Sequence, residues 1–327
     1  MRVLSGITSS GECHIGNYFG AIRQYIAFQE RGEGIYFIAD YHSMTSVRDG
    51  AERRRLVREV ALDFLACGLD PGRSILYRQS DLPEVCELTW ILSTVTPMGL
   101  LERSHAYKDK LAQGQSADHG LFAYPVLMAA DILIYRSDVV PVGQDQKQHL
   151  EMARDIAQRF NHTYGVDVLK LPEPHILEDV AVVPGTDGNK MSKSYDNVIR
   201  MFWPKKRIEK AVMGIVTDST SVEDPKDTSA PVFQLWALFA GEAEREEMFE
   251  RGRRGGVGYG ELKKDLVKRL LEYFGPMREK REELARRPDE VEDVLASGVR
   301  RARELGAPVV AAAREAAGLG PGRRGPR

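Results

Sequence analysis

The chain has 327 residues, 43% of them hydrophobic and 29% charged, and its 46 Lys+Arg and 48 Asp+Glu give a formal net charge of −2. This length and apolar content exclude a disordered segment or a disulfide-stapled mini-protein, and they predict two domains or one domain with a large insertion. Because no excess of positive charge exists, any nucleic-acid contact must come from a local basic patch.

The cysteines and the apolar runs exclude several other classes of protein. Cys13, Cys67 and Cys86 are scattered and lack C-x-x-C spacing, which argues against a disulfide framework and against a zinc site. The sequence has no run of about 18 apolar residues, so no membrane span is predicted. The first residues lack the apolar core and cleavage site of a secretory signal. We therefore expect a soluble cytoplasmic protein with free thiols and no protein metal site.

The first quarter of the chain alternates predicted strands and helices. Strands are predicted at residues 2–5, 34–39 and 74–77, and amphipathic helices at residues 15–29 and 52–67. The run at 34–39 is continuously apolar, which is typical of a strand covered on both faces. This order predicts βαβ units and therefore a parallel sheet with right-handed crossovers.

The middle of the chain is predicted to be mostly helical before one further strand. Helices dominate residues 82–112, and a polar, Gly-containing stretch covers 113–120. A strand at 139–142 precedes a helix at 146–161. Residues 172–197 are rich in Gly, Pro and Asp and are predicted to be a loop.

The composition changes beyond this loop, because almost every segment after Pro204 has the charged faces of a surface helix. We therefore predict an α/β fold in two parts. A Rossmann-like parallel-sheet domain occupies residues 1–197, with a helical connective insertion around 101–130. An all-helical domain follows at residues 198–327.

The first motif, Gly-Ile-Thr-Ser-Ser-Gly-Glu-Cys-His-Ile-Gly-Asn-Tyr, follows the opening strand and begins a helix. Its glycines, at 6, 11 and 16, permit tight turns and close approach of a ligand to the backbone. His14 and Asn17 lie one turn apart at a helix N-terminus, where both can reach one phosphate chain. The segment is neither a Walker A loop nor G-x-G-x-x-G. The alternative is a glycine-rich turn with a surface histidine.

The second motif, Lys190-Met191-Ser192-Lys193-Ser194, lies in the predicted Gly/Asp-rich loop. Two lysines that flank hydroxyl groups suit a pyrophosphate whose negative charge grows as it leaves. The alternative is a solvated basic loop. Since a chance match of five residues is rare, we favour the phosphate-binding interpretation.

Both motifs, in this order and at the edge of a parallel sheet, resemble the signature sequences of class I aminoacyl-tRNA synthetases. Residues 140–151 and 128–133 resemble the late-strand block and the amino-acid-binding helix of the bacterial-type tryptophanyl-tRNA synthetases, with shorter matches at 102–103, 107–110 and 217–219. Tyrosine-specific relatives usually have Gly-Ser-Asp-Gln-Trp-Gly-Asn where this chain has Gly-Gln-Asp-Gln-Lys-Gln-His. The resemblance covers roughly the whole chain. It implies ATP-dependent activation of L-tryptophan to tryptophanyl-adenylate and transfer to tRNA(Trp), the reaction of a tryptophan–tRNA ligase.

The resemblance implies an ATP site built from both motifs and the late-strand block. ATP is expected to bring Mg²⁺ that is held mainly by its phosphate oxygens. His14, Lys110, Lys190 and Lys193 are implied to be catalytic, the lysines by neutralising the departing pyrophosphate. The other implied ATP-binding residues are Thr8, Ser9, Ser10, Gly16, Asn17, Gly143, Gln144, Asp145, Val182, Met191, Ser192 and Ser194.

One departure from the family lies in the first motif. The family usually reads Gly-Ile-Gln-Pro-[Ser/Thr]-Gly there, whereas this chain reads Gly-Ile-Thr-Ser-Ser-Gly. Thr8 and Ser9 lack the amide and the rigid proline, but their hydroxyl groups still donate hydrogen bonds. We therefore expect altered or weaker binding of ATP and not a loss of activity.

A tryptophan pocket needs an apolar slot and one acceptor, because the indole N–H only donates. Asp131 follows Met128 by one helical turn and Tyr124 by two, so all three lie on one helix face. We predict Asp131 as the acceptor, since a buried carboxylate in apolar surroundings is costly without a donor and the ligand supplies one. The alternative is an ordinary ion pair with Arg136.

Other residues complete the predicted pocket. His42 and Gln146 are expected near the α-amino or carboxylate group of the amino acid. Ordinary core packing is an equal alternative for Val140 and Val142 and the favoured one for Leu4. The predicted tryptophan-binding residues are Leu4, His42, Tyr124, Met128, Asp131, Val140, Val142 and Gln146.

The resemblance also implies partners, namely tRNA(Trp) and a second copy of the chain. The basic clusters at 205–207, 251–254 and 323–324 are candidates for anticodon contacts, with solvated surface charge as the alternative for each. The apolar helices between residues 82 and 112, with Trp90, Ile91, Leu100 and Leu101, are candidates for the homodimer interface or for the core.

Three other functions stay open at this point. They are a tyrosine-specific class I synthetase, another nucleotidylyltransferase with an H-x-G-H-like motif, and a tRNA-binding or regulatory paralogue without aminoacylation. The long helical half and the lysine motif argue against the second, and the intact His14, Asn17, Lys190 and Lys193 argue against the third. No editing domain is expected, because no smaller amino acid both fills the slot and pairs the acceptor.

Overall fold

The computed structural model of the protein describes residues 1–104, 107–108, 118–143, 146–176 and 183–320. The helices among these residues include none that is long and apolar enough to cross a membrane. The predicted polar stretch, the connective insertion and the C-terminal Arg-rich segment lie partly or wholly outside the described residues.

The described residues form one five-stranded sheet in which all paired strands are parallel, with the order β3-β2-β1-β4-β5. The strands are β1 (Arg2–Ile7), β2 (Glu33–Ile38), β3 (Ser74–Arg78), β4 (Val139–Val142) and β5 (Glu173–Ile176). The chain winds outward from β1 to β3 and then returns to the other side of β1. This reversal opens a crevice between the carboxyl ends of β1 and β4, where ligands bind in such folds. The predicted α/β fold with a Rossmann-like parallel sheet is confirmed.

Two strands differ from the sequence prediction. The first extends to Ile7 and does not stop at Gly6, because Gly6 and Ile7 pair with Phe37 and Ile38. The prediction of a loop throughout residues 172–197 is wrong, since β5 lies within it and pairs with β4. A four-residue strand that contains a proline carries almost no periodicity, and an edge strand tolerates that proline.

Helices pack on both faces of the sheet. The first, α1, runs through three consecutive pieces, Ile15–Asn17, a π-helical turn at Tyr18–Ile22, and Arg23–Phe28. The next six are α2 (Asp40–Ser43), α3 (Gly50–Ala66), α4 (Glu84–Ser93), α5 (Met98–Leu101), α6 (His119–Leu133) and α7 (Lys147–Tyr164). Side-chain caps begin two of them, because the carboxylates of Asp49 and Asp118 accept the backbone N–H groups of Glu52 and Leu121.

The part of the chain after the lysine motif is helical, as predicted. Its helices are α8 (Lys205–Met213), α9 (Pro231–Ala237), α10 (Glu242–Arg254), α11 (Tyr259–Ala285) and α12 (Pro288–Ala316). The last helix covers the edge strand β3 so closely that a Cβ atom at Gly298 would lie 1.8 Å from the carbonyl oxygen of Leu76. Arg301 Nη1 also donates to the Ser74 carbonyl at 3.0 Å. The edge strand is therefore shielded from pairing with another chain.

The buried apolar residues form two clusters on the two sides of the sheet. One contains Leu4 and the inner face of α6. The other joins Ile15 of the first motif to Trp236 and Phe274 of the helical half. The helical half therefore packs directly behind the first motif.

Candidate active site

A cavity of about 1560 Å³ opens at the carboxyl ends of β1 and β4, where the strand order reverses. Residues predicted for ATP and residues predicted for tryptophan both line it, so the structure brings the two predicted sites into one space. The predicted residues in its wall are Leu4, Thr8, Ser10, His14, Gly16, Asn17, His42, Tyr124, Met128, Asp131, Val140, Val142, Gly143, Gln146, Lys190, Met191, Ser192 and Lys193.

A few predicted residues are not placed in this wall. Ser9 is fully buried, whereas its neighbours Thr8 and Ser10 are exposed and line the cavity. Four predicted residues, Lys110, Gln144, Asp145 and Val182, lie outside the described residues, and the side chain of Ser194 is not described either.

The first motif folds into a reciprocal helix cap. His14 Nδ1 accepts the backbone N–H of Asn17 at 3.3 Å, and Asn17 Oδ1 accepts the backbone N–H of His14 at 3.1 Å. Burial lowers the pKa of His14 to about 4, with Lys193 and Arg200 acting in the same direction. The imidazole is therefore neutral at pH 7. Since Nδ1 accepts, Nε2 carries the proton and is the donor of the ring.

The second motif lies against the first. Lys193 Nζ donates to the Gly11 carbonyl oxygen at 2.7 Å, and burial lowers the pKa of this lysine. A Cβ atom at Gly11 would lie 2.8 Å from Lys193 Cδ, so only glycine permits this approach. The two motifs, separated by about 180 residues in sequence, thus meet at one cation.

A buried asparagine fixes the conformation of the loop that carries the second motif, here called the lysine loop. Asn197 Oδ1 accepts the backbone N–H of Ser192 at 2.8 Å, while its Nδ2 donates to Asp187 Oδ1 at 2.7 Å and to the Lys190 carbonyl at 3.1 Å. Sequence reasoning used Asn197 only as a domain boundary. Its position directly after a Gly/Asp-rich loop is the signal that would have found it, because asparagine amides commonly organise such loops.

An ion pair connects the flanks of the two motifs. Glu12, within the first motif, pairs with Arg200 at 2.5 Å and with Arg55 at 3.1 Å. Although burial opposes ionisation, the two guanidinium groups lower the pKa of Glu12. Beside this pair, the Ile15 backbone N–H donates to the Ile199 carbonyl at 2.9 Å. The lysine loop is therefore anchored to the first motif by Ile199 and Arg200, which follow it in the chain, as well as by Lys193.

Asp131 lies at the other end of the cavity, with only 1% of its surface exposed. Gln79 Nε2 lies 2.8 Å from both carboxylate oxygens, and His42 Nε2 lies 2.9 Å from Oδ2. Burial raises the pKa of Asp131, and the hydrogen bonds from His42 and Gln79 oppose that rise. The alternative pairing is not observed, since Arg136 Nη1 donates to the Val168 carbonyl.

These contacts change two expectations. The ligand was expected to supply the donor for Asp131, but the protein already supplies two donors, from Gln79 and His42. His42 was expected beside the α-amino or carboxylate group; its Nε2 atom is bonded to Asp131, and its contact with the substrate stays a prediction. Sequence reasoning missed Gln79, although it follows β3 directly, at the edge of the sheet where functional side chains gather.

Apolar side chains, among them Leu4, Met128, Ile132 and Val140, form much of the remaining wall of this end. Leu4 and Val140 belong to the buried core and also line the cavity, so both pack in the core, and their contact with tryptophan stays a prediction. The hydroxyl of Tyr124, on α6, lies 2.5 Å from Nε2 of His149, on α7. The result is an apolar slot with one charged acceptor at its wall.

Comparison with known proteins gives the family. A family model described as tRNA synthetases class I (W and Y) matches residues 1–275. The tryptophan–tRNA ligases of Fusobacterium nucleatum and Rhodopirellula baltica are 54% and 57% identical to this chain, and the matches cover 97% and 98% of this chain and 98% and 100% of those proteins. A crystal structure of tryptophanyl-tRNA synthetase from Campylobacter jejuni complexed with ADP and tryptophan matches with a TM-score of 0.90 and 49% identity, over 98% of this chain and 100% of that one.

The chain belongs to the tryptophan–tRNA ligases, within class I of the tRNA synthetases. The resemblance inferred from the motifs is thereby confirmed. A tyrosine-specific identity is not supported, because the full-length relatives at 50–57% identity are tryptophan–tRNA ligases.

The surface outside the cavity also carries residues that the sequence singled out for this family. Lys205, Lys206 and Arg207 are exposed on α8, and the Arg207 guanidinium stacks 3.9 Å over the Trp203 ring.

Trp90, on α4, is 72% exposed. The candidate interface residues Ile91, Leu100 and Leu101 are instead buried in the core, so for them core packing is the correct interpretation. Among the described residues, no group of three or more His, Cys, Asp or Glu side chains suits a metal ion.

Proposed function

We propose that the protein activates L-tryptophan with ATP to form tryptophanyl-adenylate and pyrophosphate, and then transfers the tryptophanyl group to tRNA(Trp). One observation carries this proposal: a single cavity holds both the lysine motif and an apolar slot with a buried carboxylate. The full-length relatives, which are tryptophan–tRNA ligases, support it, and so does the Campylobacter structure, which is a complex with ADP and tryptophan.

The adenylation step needs no protein nucleophile. An oxygen of the tryptophan carboxylate attacks the α-phosphorus of ATP, a new P–O bond forms, and the bond to the β,γ-pyrophosphate breaks. Catalysis then consists of holding the two substrates in line and neutralising the charge that develops on pyrophosphate. Mg²⁺ arrives with ATP and is held mainly by the phosphate oxygens.

In this proposal the two motifs hold ATP from opposite sides. Lys190 and Lys193, with Lys110, neutralise the leaving pyrophosphate, and the neutral His14 donates through Nε2 to a phosphate oxygen. Because Lys193 already bonds a neutral carbonyl at Gly11, moving to a phosphate exchanges a weaker acceptor for a charged one. The other proposed ATP contacts are Thr8, Ser10, Gly16, Asn17, Gly143, Gln144, Asp145, Val182, Met191, Ser192 and Ser194. Ser9, which is buried outside the cavity wall, is not among them.

The opposite end selects the amino acid. The indole ring lies in the apolar slot and donates its N–H to Asp131. Phenylalanine cannot make that hydrogen bond, and a hydrogen bond to a charged group contributes about 1.5–3 kcal/mol. Gln146, which lines the same cavity, meets the polar groups of the substrate in this proposal.

Amino-acid-dependent ATP–pyrophosphate exchange, run with each of the twenty amino acids, tests the proposal directly. Tryptophan should support exchange far better than any other amino acid. Exchange supported best by tyrosine would instead identify a tyrosine-specific synthetase. No exchange with any amino acid, from a folded protein that still binds tRNA, would identify a regulatory paralogue.

We further propose that the catalytic part spans residues 1–197, with the connective insertion around 101–130, and that residues 198–327 carry the anticodon contacts. The exposed clusters at 205–207 and 251–254 support the second assignment, and Arg323-Arg324 lies outside the described residues. The reaction is that of cytoplasmic protein synthesis, so we place the protein in the cytoplasm.

We also propose a homodimer in which one subunit binds the acceptor end of a tRNA and the other binds its anticodon. A chain of this length has a radius of gyration of about 20 Å, which is too compact to span both ends of a tRNA. The exposed Trp90 and Met98 supply apolar area for an interface.

Heterodimers of two inactive variants test this arrangement. One variant lacks Lys190 and Lys193, and the other has the clusters at 205–207 and 251–254 neutralised. Verified heterodimers should recover part of the tRNA charging activity, because one active site then has both halves intact. Charging that stays absent in these heterodimers would mean that each subunit serves its own tRNA.

A further inference from the structure

Gln79 is a fully buried side chain, with 0% of its surface exposed, that lies behind the cavity wall and does not line the cavity. It is in the 3₁₀ turn Gln79–Asp81 that follows β3 directly. Its Nε2 atom lies 2.8 Å from each oxygen of the Asp131 carboxylate. A buried amide directed at a buried carboxylate on another element is a specific arrangement, because both groups are costly to bury without partners.

The orientation of this amide is fixed from its other side. The backbone N–H of Tyr41 donates to Gln79 Oε1 at 3.1 Å, so the amide oxygen must face Tyr41 and the NH₂ group must face Asp131. The turn itself is held by Asp40, which accepts the Ser80 backbone N–H at 2.9 Å and the Ser80 hydroxyl at 2.5 Å. Gln79 therefore has one orientation, and that orientation donates to Asp131.

The hydrogen bonds leave one carboxylate oxygen with more capacity than the other. Asp131 Oδ2 accepts from both Gln79 and His42, whereas Oδ1 accepts from Gln79. Each carboxylate oxygen accepts about two hydrogen bonds, so Oδ1 is the atom with capacity for a ligand N–H. His42 contacts only one of the two oxygens, Oδ2. A carboxylate held at one oxygen can still rotate about its Cβ–Cγ bond. Gln79, which touches both oxygens, prevents that rotation.

We propose that Gln79 is a positioning residue that fixes the Asp131 carboxylate with Oδ1 toward the slot, and that it thereby makes the site selective for an aromatic ring that carries an N–H. The inference rests on the proposed function, because it concerns how the same site recognises its amino acid. Burial favours the protonated form of Asp131, which would donate where an acceptor is needed, and the Gln79 amide opposes this change.

A pair of nearly isosteric substrates separates this role from a merely structural one. L-tryptophan and β-(3-benzothienyl)-L-alanine have similar ring shapes, but the second has sulfur in place of the N–H. We expect Gln79→Met to lower the ratio of kcat/KM for tryptophan to kcat/KM for the analogue by about tenfold, measured by ATP–pyrophosphate exchange. Gln29→Met is a matched control, since the Gln29 amide bonds the Gly68 carbonyl and the Asp70 backbone N–H away from the cavity.

A second variant retains the shape of the side chain. In Gln79→Glu the new carboxyl group can donate to Asp131 only while it holds a proton. We expect the preference for tryptophan over the analogue to stay near that of the unmodified protein at acidic pH and to decline as the pH rises. The unmodified protein should not show this decline.

The outcomes separate the inference from the proposed function. If the unmodified protein exchanges with tryptophan but both variants lower kcat/KM for the two substrates equally, Gln79 is only structural and the inference is overturned. A Gln29→Met ratio that falls as far as the Gln79→Met ratio would overturn it as well. If the unmodified protein supports no tryptophan-dependent exchange, the proposed function fails and the inference fails with it.

Discussion

The two ends of the cavity are built in different ways. At the tryptophan end, Asp131, Gln79 and His42 project from a helix, a short turn after a strand and a short helix, and their hydrogen bonds join buried or nearly buried groups. At the end proposed to bind ATP, Lys193 and Asn197 belong to a segment without long helices or strands, and their bonds go mainly to backbone groups of loops.

The difference corresponds to what each end must do. A buried carboxylate must be satisfied before the ligand arrives, so the tryptophan end is assembled in advance by paired side chains. The ATP end has to gain contacts as charge develops on pyrophosphate and then release the product. A lysine resting on a carbonyl can leave it at low cost, which suits a site that re-forms its contacts during the reaction. The comparison predicts effects on kcat from changes at the ATP end and effects on amino-acid recognition from changes at the tryptophan end.

The largest effect is expected from Lys193→Ala. Pyrophosphate charge grows in the transition state, so kcat for tryptophan-dependent exchange should fall by about a hundredfold while ground-state ATP affinity falls much less. Steady-state exchange kinetics and calorimetric titration with ATP measure the two quantities. Lys268→Ala is the control, because that exposed lysine on α11 pairs with Glu272 at 4.0 Å, away from the cavity. Equal losses in ATP affinity and in kcat/KM, with kcat unchanged, would mark Lys193 as a ground-state contact.

The next largest effect is expected from Asp131→Ala, at the other end. Removing the acceptor should lower kcat/KM for tryptophan by about 30-fold, with little change in the KM for ATP, since the loss of a hydrogen bond to a charged group costs about 1.5–3 kcal/mol. Asp155→Ala is the control, as an exposed carboxylate on α7. Tryptophan binding that is unchanged in a calorimetric titration would show that Asp131 does not contact the indole N–H.

The sequence predicted most of the sheet, because its strands carry continuous apolar runs between turn signals. The strand at 139–142 has the predicted bounds, and the parallel βαβ order follows from the alternation of elements. The edge strand β5 was missed, since four residues with a proline show no periodicity. Periodicity also cannot reveal that a helix covers an edge strand, as α12 does at Gly298.

The candidate site was predictable wherever a motif or a helix face brought residues together locally. His14 with Asn17, and Asp131 with Met128, are one turn apart, and each pair lines the cavity as expected. Gln79 and Asn197 were missed because their roles depend on contacts between distant or irregular segments. Gln79 and Asp131 are 52 positions apart in the sequence, and no local pattern encodes such a contact.

A third prediction concerns the pH dependence of stability at His14. The pKa of this histidine is depressed to about 4 in the folded protein, from an ordinary value of about 6.5. Between about pH 6.5 and pH 4, His14 is protonated in the unfolded chain but not in the folded protein. The contribution of His14 to the free energy of unfolding is therefore lost as the pH falls through this range. Relative to His14→Asn, which keeps a side chain suited to the cap, the unmodified protein should lose roughly 1–2 kcal/mol between pH 7.5 and pH 5. Urea unfolding at a series of pH values measures the difference, and a gain toward low pH would contradict the prediction.

The smallest effect is expected from Asn197→Ala, which loosens the lysine loop without touching a substrate. Removing the amide deletes its hydrogen bonds to the Ser192 N–H and the Lys190 carbonyl, so the loop should sample more conformations, while the core behind it stays packed. We expect kcat for exchange to fall by about threefold to tenfold, because part of the lysine positioning must then be restored in each turnover. Affinity for tryptophan should not change, since the tryptophan end is held by other contacts. Asn189→Ala is the matched control, as its amide bonds Asp187 within the same loop. If Asn197→Ala weakened tryptophan binding as much as it slowed exchange, the two ends of the cavity would not be independently built.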